Sequence, residues 1–123
     1  MPYKVLVVDD SKAMRLLVLR SLRTAGLDIE AALEASNGTE GCTVLGAEKV
    51  DLVFSDWNMP SMNGLEFLKW VRNESGVKQL PFYLITTETG QAQVTEALSA
   101  GDTGYLCKPF APEDLAHSLA AYL

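Results

Sequence analysis

Five side chains of this 123-residue sequence could do chemistry together, and each follows directly on a short apolar run. Asp9 and Asp10 close Val5-Leu6-Val7-Val8, and Asp56 follows Leu52-Val53-Phe54-Ser55. Thr86 ends Phe82-Tyr83-Leu84-Ile85, and Lys108 follows Tyr105-Leu106-Cys107. Three carboxylates on one rim repel one another, and a hard divalent cation relieves that repulsion. Mg²⁺ suits such a set, because it takes one or two carboxylates together with phosphate and water oxygens; Mn²⁺ could replace it. Beside such a cation a carboxylate oxygen can act as a nucleophile toward phosphorus. Phosphoryl transfer then needs positioning and charge neutralisation, which a lysine ammonium and a threonine hydroxyl supply. The set lacks an evident general base for hydrolysing a foreign substrate, which points to a phosphoryl acceptor and away from an enzyme with turnover.

Taken singly, each residue has a plainer explanation. An Asp-Asp pair after a strand serves as a turn or helix cap, and one aspartate can make an Asx-turn. Thr86 is an ordinary strand residue, and Lys108-Pro109 reads as a strand terminator with a solvated lysine. The weight rests on their joint placement, which depends on the elements that carry them.

The apolar runs have the length and continuity of buried parallel strands. Glu30 to Ala35 is a weaker strand candidate, expected at a sheet edge, and it offers the rim nothing comparable. Between the runs lie segments of helical period: Met14, Leu17, Val18, Leu22 and Ala25 up to Gly26, then a second helix opened by Asn37 and Glu40. Leu65, Leu68 and Val71 mark a third, opened by Asn63 and Glu66, and Val94, Ala97 and Leu98 up to Gly101 a fourth. Leu115, Leu119 and Tyr122 belong to a fifth, with Pro112 at its first position, where a missing N–H costs nothing. Strand and helix thus alternate about five times, which predicts a doubly wound parallel sheet with helices on both faces and right-handed crossovers. Such sheets bind ligands beyond the carboxyl ends of their strands, where the five residues fall.

Composition agrees with one soluble domain spanning residues 1–123. Hydrophobic residues make up 48% and charged residues 21%. The net charge of −6 argues against nucleic acid and anionic lipid as partners. No apolar run reaches the ~18 residues of a membrane span, and the first residues enter a strand rather than a signal peptide, which points to the cytoplasm. Cys42 and Cys107 have no metal or redox spacing and read as reduced, partly buried residues. His117 has no second ligand in view.

The stretches V-L-V-V-D-D (Val5–Asp10), S-D-W-N-M-P-S-M-N-G-L-E (Ser55–Glu66), Thr86 and G-Y-L-C-K-P-F (Gly104–Phe110) closely resemble response-regulator receiver domains, in particular the stand-alone chemotaxis type. The likeness runs through essentially the whole chain in order and spacing. It implies a (βα)5 fold of the flavodoxin-like kind, with strand order 2-1-3-4-5. It implies that Asp56 accepts a phosphoryl group from a sensor histidine kinase or a histidine phosphotransfer domain. Asp10 and Asp56 would hold Mg²⁺ directly and Asp9 through water, with the backbone carbonyl of Asn58 as a further ligand. Lys108, in a cis Lys108-Pro109 peptide, and Thr86 would each contact a phosphoryl oxygen. Thr86 and Tyr105 would convert phosphorylation into a changed face of the fourth helix, fifth strand and fifth helix. Asn58, Glu88 and Thr87 would tune phosphate lifetime, Thr87 standing where a small residue is usual.

The resemblance also leaves alternatives. A monomeric switch acting on a protein partner is the leading expectation; a phosphorelay shuttle or phosphate sink, or a receiver excised from a larger regulator, are the others. A Mg²⁺-dependent phosphatase of the haloacid-dehalogenase type would carry D-x-D on the first strand, where Asp9-Asp10-Ser11 stands. A nucleotide site would need a glycine-rich loop after that strand. Flagellar-switch members carry lysines where Gly90-Gln91-Ala92-Gln93 stands, and Ala116-His117-Ser118 lacks lysine too, so the target is left open. Trp57 reads as structural, and Trp70 as a partly covered surface aromatic or an interface anchor.

Overall fold

In the computed structural model, which describes residues 2–74, 76–86, 91–101, 104–107 and 112–123, five strands and five helices alternate. They are β1 (Tyr3–Val8), α1 (Lys12–Thr24), β2 (Ile29–Ala35), α2 (Gly38–Ala47) and β3 (Leu52–Asp56), followed by α3 (Gly64–Asn73), β4 (Phe82–Thr86), α4 (Gln91–Ala100), β5 (Gly104–Cys107) and α5 (Pro112–Ser118). A 3₁₀ turn at Ala120–Tyr122 follows α5. All strand pairs are parallel, and the order is β2-β1-β3-β4-β5, as expected. The order reverses between β1 and β3, so a crevice opens beyond their carboxyl ends.

Alternation along the strands divides the core into two layers. Leu6, Val8, Val53, Phe82 and Leu84 pack with Leu65, Phe67, Leu68 and Val71 of α3 and Ala97 of α4. Val5, Val7, Leu52, Phe54, Tyr83, Ile85 and Leu106 pack with Val18, Leu19 and Leu22 of α1 and with Leu115 and Leu119. β2, at the edge, is the most exposed of the described strands in side-chain pattern.

Two helical readings shift. The buried stripe of α1 runs through Val18, Leu19 and Leu22, whereas Leu17 is 49% exposed. In α4, Ala97 is buried but Leu98 is 67% exposed, because successive helical residues point about 100° apart. The two Asn/Glu starts also differ. In α3 Asn63 and Glu66 form a complete capping box, each side chain bonded to the other's backbone N–H. In α2 Asn37 accepts from the Glu40 N–H at 2.9 Å, but the Glu40 carboxylate reaches past the cap to the N–H and hydroxyl of Ser36. Those two hydrogen bonds hold its pKa below the ordinary carboxylate value.

Candidate functional site

The pair Asp9-Asp10 directly follows β1, and β3 ends at Asp56. Since β1 and β3 are neighbours in register, with Val8 opposite Ser55, their next residues meet in the crevice. The carboxylate oxygens of Asp9, Asp10 and Asp56 lie within 4.8 Å of one another. Two like charges at such a distance repel by about 3.5 kcal/mol at an effective dielectric near 20. Asp9 is buried and Asp10 exposed, so the cluster opens to solvent on one side. This is a donor set of hard oxygens with room for water, which fits a small divalent cation.

Asp9 is tied down from three directions. Its N–H donates to the Ala35 carbonyl of β2 at 3.1 Å. Its Oδ1 accepts the Ser11 N–H at 2.9 Å, and its carbonyl oxygen accepts from Arg15 Nη1 at 2.7 Å. Ser11 in turn caps α1, its hydroxyl accepting the Met14 N–H at 3.3 Å.

The loop after Asp56 folds back over it. Gly64, the first residue of α3, donates its N–H to the Trp57 carbonyl at 2.9 Å. A Cβ there would overlap the Asp56 carbonyl oxygen and stand 2.9 Å from Trp57 Cα, so the close approach requires glycine. Within this loop Ser61 takes a positive φ of 67°, Asn58 is exposed, and Trp57 is 9% exposed with its N–H on the Ile85 carbonyl at 3.1 Å. Thr86 is fully buried at the end of β4, one strand over. Tyr105 is partly buried on β5, its ring edge-to-face with Trp57 at 6.2 Å.

The chain thus brings Asp9, Asp10 and Asp56 together and sets Thr86, Trp57 and Tyr105 around them. Lys108, Pro109, Thr87 and Glu88 lie outside the described residues. Neither Arg15 nor β2 stands out as part of the site in the sequence. In fact Glu34 of β2 holds Arg15 at 2.8 Å, and Arg15 holds Asp9. The available signal was an arginine one turn past the cap of the helix that follows the acid pair. Trp70 is partly buried and stacks on Phe67 at 6.5 Å. It lines a cleft of about 690 Å³ with Leu45, Val77 and Leu80, away from the acidic cluster. Cys42 is a free, half-buried thiol that burial pushes above its ordinary pKa, and His117 is exposed on α5. Among the described residues no helix is long and apolar enough to cross a membrane.

The model of the response regulator receiver domain family matches residues 5–120. The chain belongs to that family. Over 121 residues the receiver is 44% identical to the chemotaxis protein CheY1 of Helicobacter pylori strain 26695, covering 98% of this chain and 96% of that one. It is 44% identical over 117 residues to the CheY homolog of Campylobacter jejuni strain 81-176, covering 94% and 88%. Among solved structures, the chemotaxis response regulator CheY4 of Vibrio cholerae superposes with a TM-score of 0.85 at 39% identity, each chain fully covered. The receiver is accordingly a component of two-component signalling, and its acidic cluster is one that could hold a metal ion.

Proposed function

We propose that the whole chain is one receiver domain working as a phosphorylation-operated switch, with Asp56 as the phosphoryl acceptor. The observation that carries this is the convergence of three carboxylates within 4.8 Å at the β1/β3 crevice of a receiver fold. Asp9, Asp10 and Asp56, with the backbone carbonyl of Asn58, would hold Mg²⁺ or Mn²⁺. Such a cation, when bound, neutralises the growing charge on phosphoryl oxygens. An Asp56 oxygen attacks phosphorus while the P–N bond to a histidine of the kinase or phosphotransfer domain breaks, leaving the histidine nitrogen with the electron pair. The burial of Thr86 beside Asp56 suits its hydroxyl to one phosphoryl oxygen, and Lys108 is assigned to another. Movement of Thr86 toward the phosphate would free space for Tyr105, which rests on Trp57 next to Asp56, and so change the face of α4, β5 and α5. Asn58, Glu88 and Thr87 are assigned to tuning the lifetime of the aspartyl phosphate, Thr87 by the bulk of its side chain.

The same reading makes the protein a cytoplasmic monomer that signals to a protein target. Its net charge of −6 supports neither nucleic acid nor an anionic membrane as that target. The test is incubation with acetyl phosphate and MgCl₂, followed by intact-mass measurement and amide spectra with beryllofluoride. Wild type should gain one phosphoryl group and shift resonances at Thr86 and Tyr105; Asp56→Asn, or chelation of the metal, should abolish both. Equal labelling of Asp56→Asn would refute the assignment. Transfer onward to a histidine phosphotransfer domain faster than loss to water would convert the reading to a relay.

A further inference from the structure

We infer that Arg15 is a positioning residue for the divalent cation of the proposed site, with Glu34 as its charge-balancing partner; this rests on the metal reading above. Asp10 is exposed and makes no hydrogen bond among the described residues, so its carboxylate is placed by the backbone alone. The peptide that sets its direction is Asp9–Asp10, and the carbonyl of that peptide is the group Arg15 Nη1 grips at 2.7 Å. From the same guanidinium, Nε donates to Glu34 Oε1 at 2.8 Å. Arg15 therefore bridges the metal-facing peptide to β2, a strand that sends no ligand of its own to the crevice.

Arginine suits the place because one rigid fork makes both bonds at once, which a lysine ammonium on its flexible stem does not reproduce. Glu34 matters for a second reason. An uncompensated guanidinium beside three carboxylates would compete with an incoming cation. Paired at 2.8 Å, with side chains 14% and 33% exposed, Arg15 and Glu34 carry no net charge between them. The pair can then fix the peptide without repelling the metal.

The experiment is a MgCl₂ titration of the full chain, followed by the amide resonances of Ser11, whose N–H lies on Asp9 Oδ1, and of Trp57. It is run on wild type, Arg15→Ala, Arg15→Lys and Glu34→Gln, with metal-free melting curves alongside. Arg15→Ala should weaken Mg²⁺ binding about tenfold, equal to 1.4 kcal/mol. Arg15→Lys should recover only a minor part of that loss. Glu34→Gln should weaken binding several-fold, more at low salt than at high. A lowered melting temperature with an unchanged Mg²⁺ affinity in Arg15→Ala overturns the inference, as does full recovery by Arg15→Lys. Should Arg15→Ala fail to fold, Arg15→Lys and Glu34→Gln decide the matter by the same criteria. Absence of Mg²⁺ response in wild type removes the metal reading and this inference with it; a normal wild-type response with unaffected variants removes the inference alone.

Discussion

Replacing Gly64 by alanine sets two opposite effects of one methyl group against each other. At the first residue of α3 a Cβ would overlap the Asp56 carbonyl oxygen and lie 2.9 Å from Trp57 Cα. Both obstacles are backbone, so no side-chain rotation relieves them. Overpacking of this kind costs about 1–3 kcal/mol, and displacing the Gly64 N–H from the Trp57 carbonyl loses about 1 kcal/mol more. Alanine's better helix propensity returns less than ~1 kcal/mol. The net is a loss of about 2 kcal/mol, or a fall in melting temperature on the order of 8 °C. Gly46→Ala is the control. It is also helical, but its added Cβ meets nothing within 4 Å, so it should gain ~0.5 kcal/mol from propensity alone. Urea melts and thermal melts of the two variants give the comparison directly. Because the obstructing atom belongs to Asp56 itself, Gly64→Ala should also weaken Mg²⁺ binding in the same titration. Equal stability of Gly64→Ala and wild type would show that the loop does not seat on the start of α3, and the reasoning would fail.

Further outcomes follow from other contacts. Asn63→Ala removes the side-chain half of the α3 capping box and should cost about 1 kcal/mol in urea melts; no loss would mean the cap is idle. Tyr83 stacks on Phe54 with its hydroxyl donating to the Ser118 carbonyl at 3.3 Å, and burial pushes its phenol up to about 12. Its neutral form is thus favoured in the fold. The stability it contributes is complete below pH ~10, where the unfolded phenol titrates, and is lost as pH rises toward about 12. Tyr83→Phe should flatten the fall in stability across that window, and an unchanged slope contradicts the assignment. Leu98→Lys, at a side chain 67% exposed, should alter stability by less than ~0.5 kcal/mol. Ala97→Leu, one residue earlier and fully buried, should cost about 1–3 kcal/mol by overpacking, and reversal of that order would mean α4 is rotated from the orientation described.

Much of this protein was legible in its residues because parallel strands buried on both faces leave continuous apolar runs. β1, β3, β4 and β5 were found that way, and the acids at the ends of β1 and β3 fell where a doubly wound sheet gathers ligands. The edge strand β2 was harder, since its half-exposed pattern Ile29–Ala35 mixes charge with small residues. Helical period located α1 and α4 but misassigned Leu17 and Leu98, because each adjoins a second apolar residue, Val18 or Ala97, that satisfies a 3.6-residue repeat equally well. Which one is buried depends on the angle at which the helix meets the sheet. Arg15 was missed for a related reason: its partners, Asp9 and Glu34, are 6 and 19 residues away, and no local pattern encodes a bridge from α1 to β2.

The sequence by itself determined the alternation of elements, the Asn37 and Asn63 caps, and the inventory of Asp9, Asp10, Asp56, Thr86 and Lys108. These follow from short-range rules of period, turn chemistry and charge. Tertiary structure alone decided that the three carboxylates come within 4.8 Å, that Gly64 must lie bare against Asp56, and that Arg15 with Glu34 holds the Asp9–Asp10 peptide. Those facts depend on the register of β1 against β3 and on where β2 falls beside them. Such distances are set by packing across the sheet, which no stretch of neighbouring residues contains.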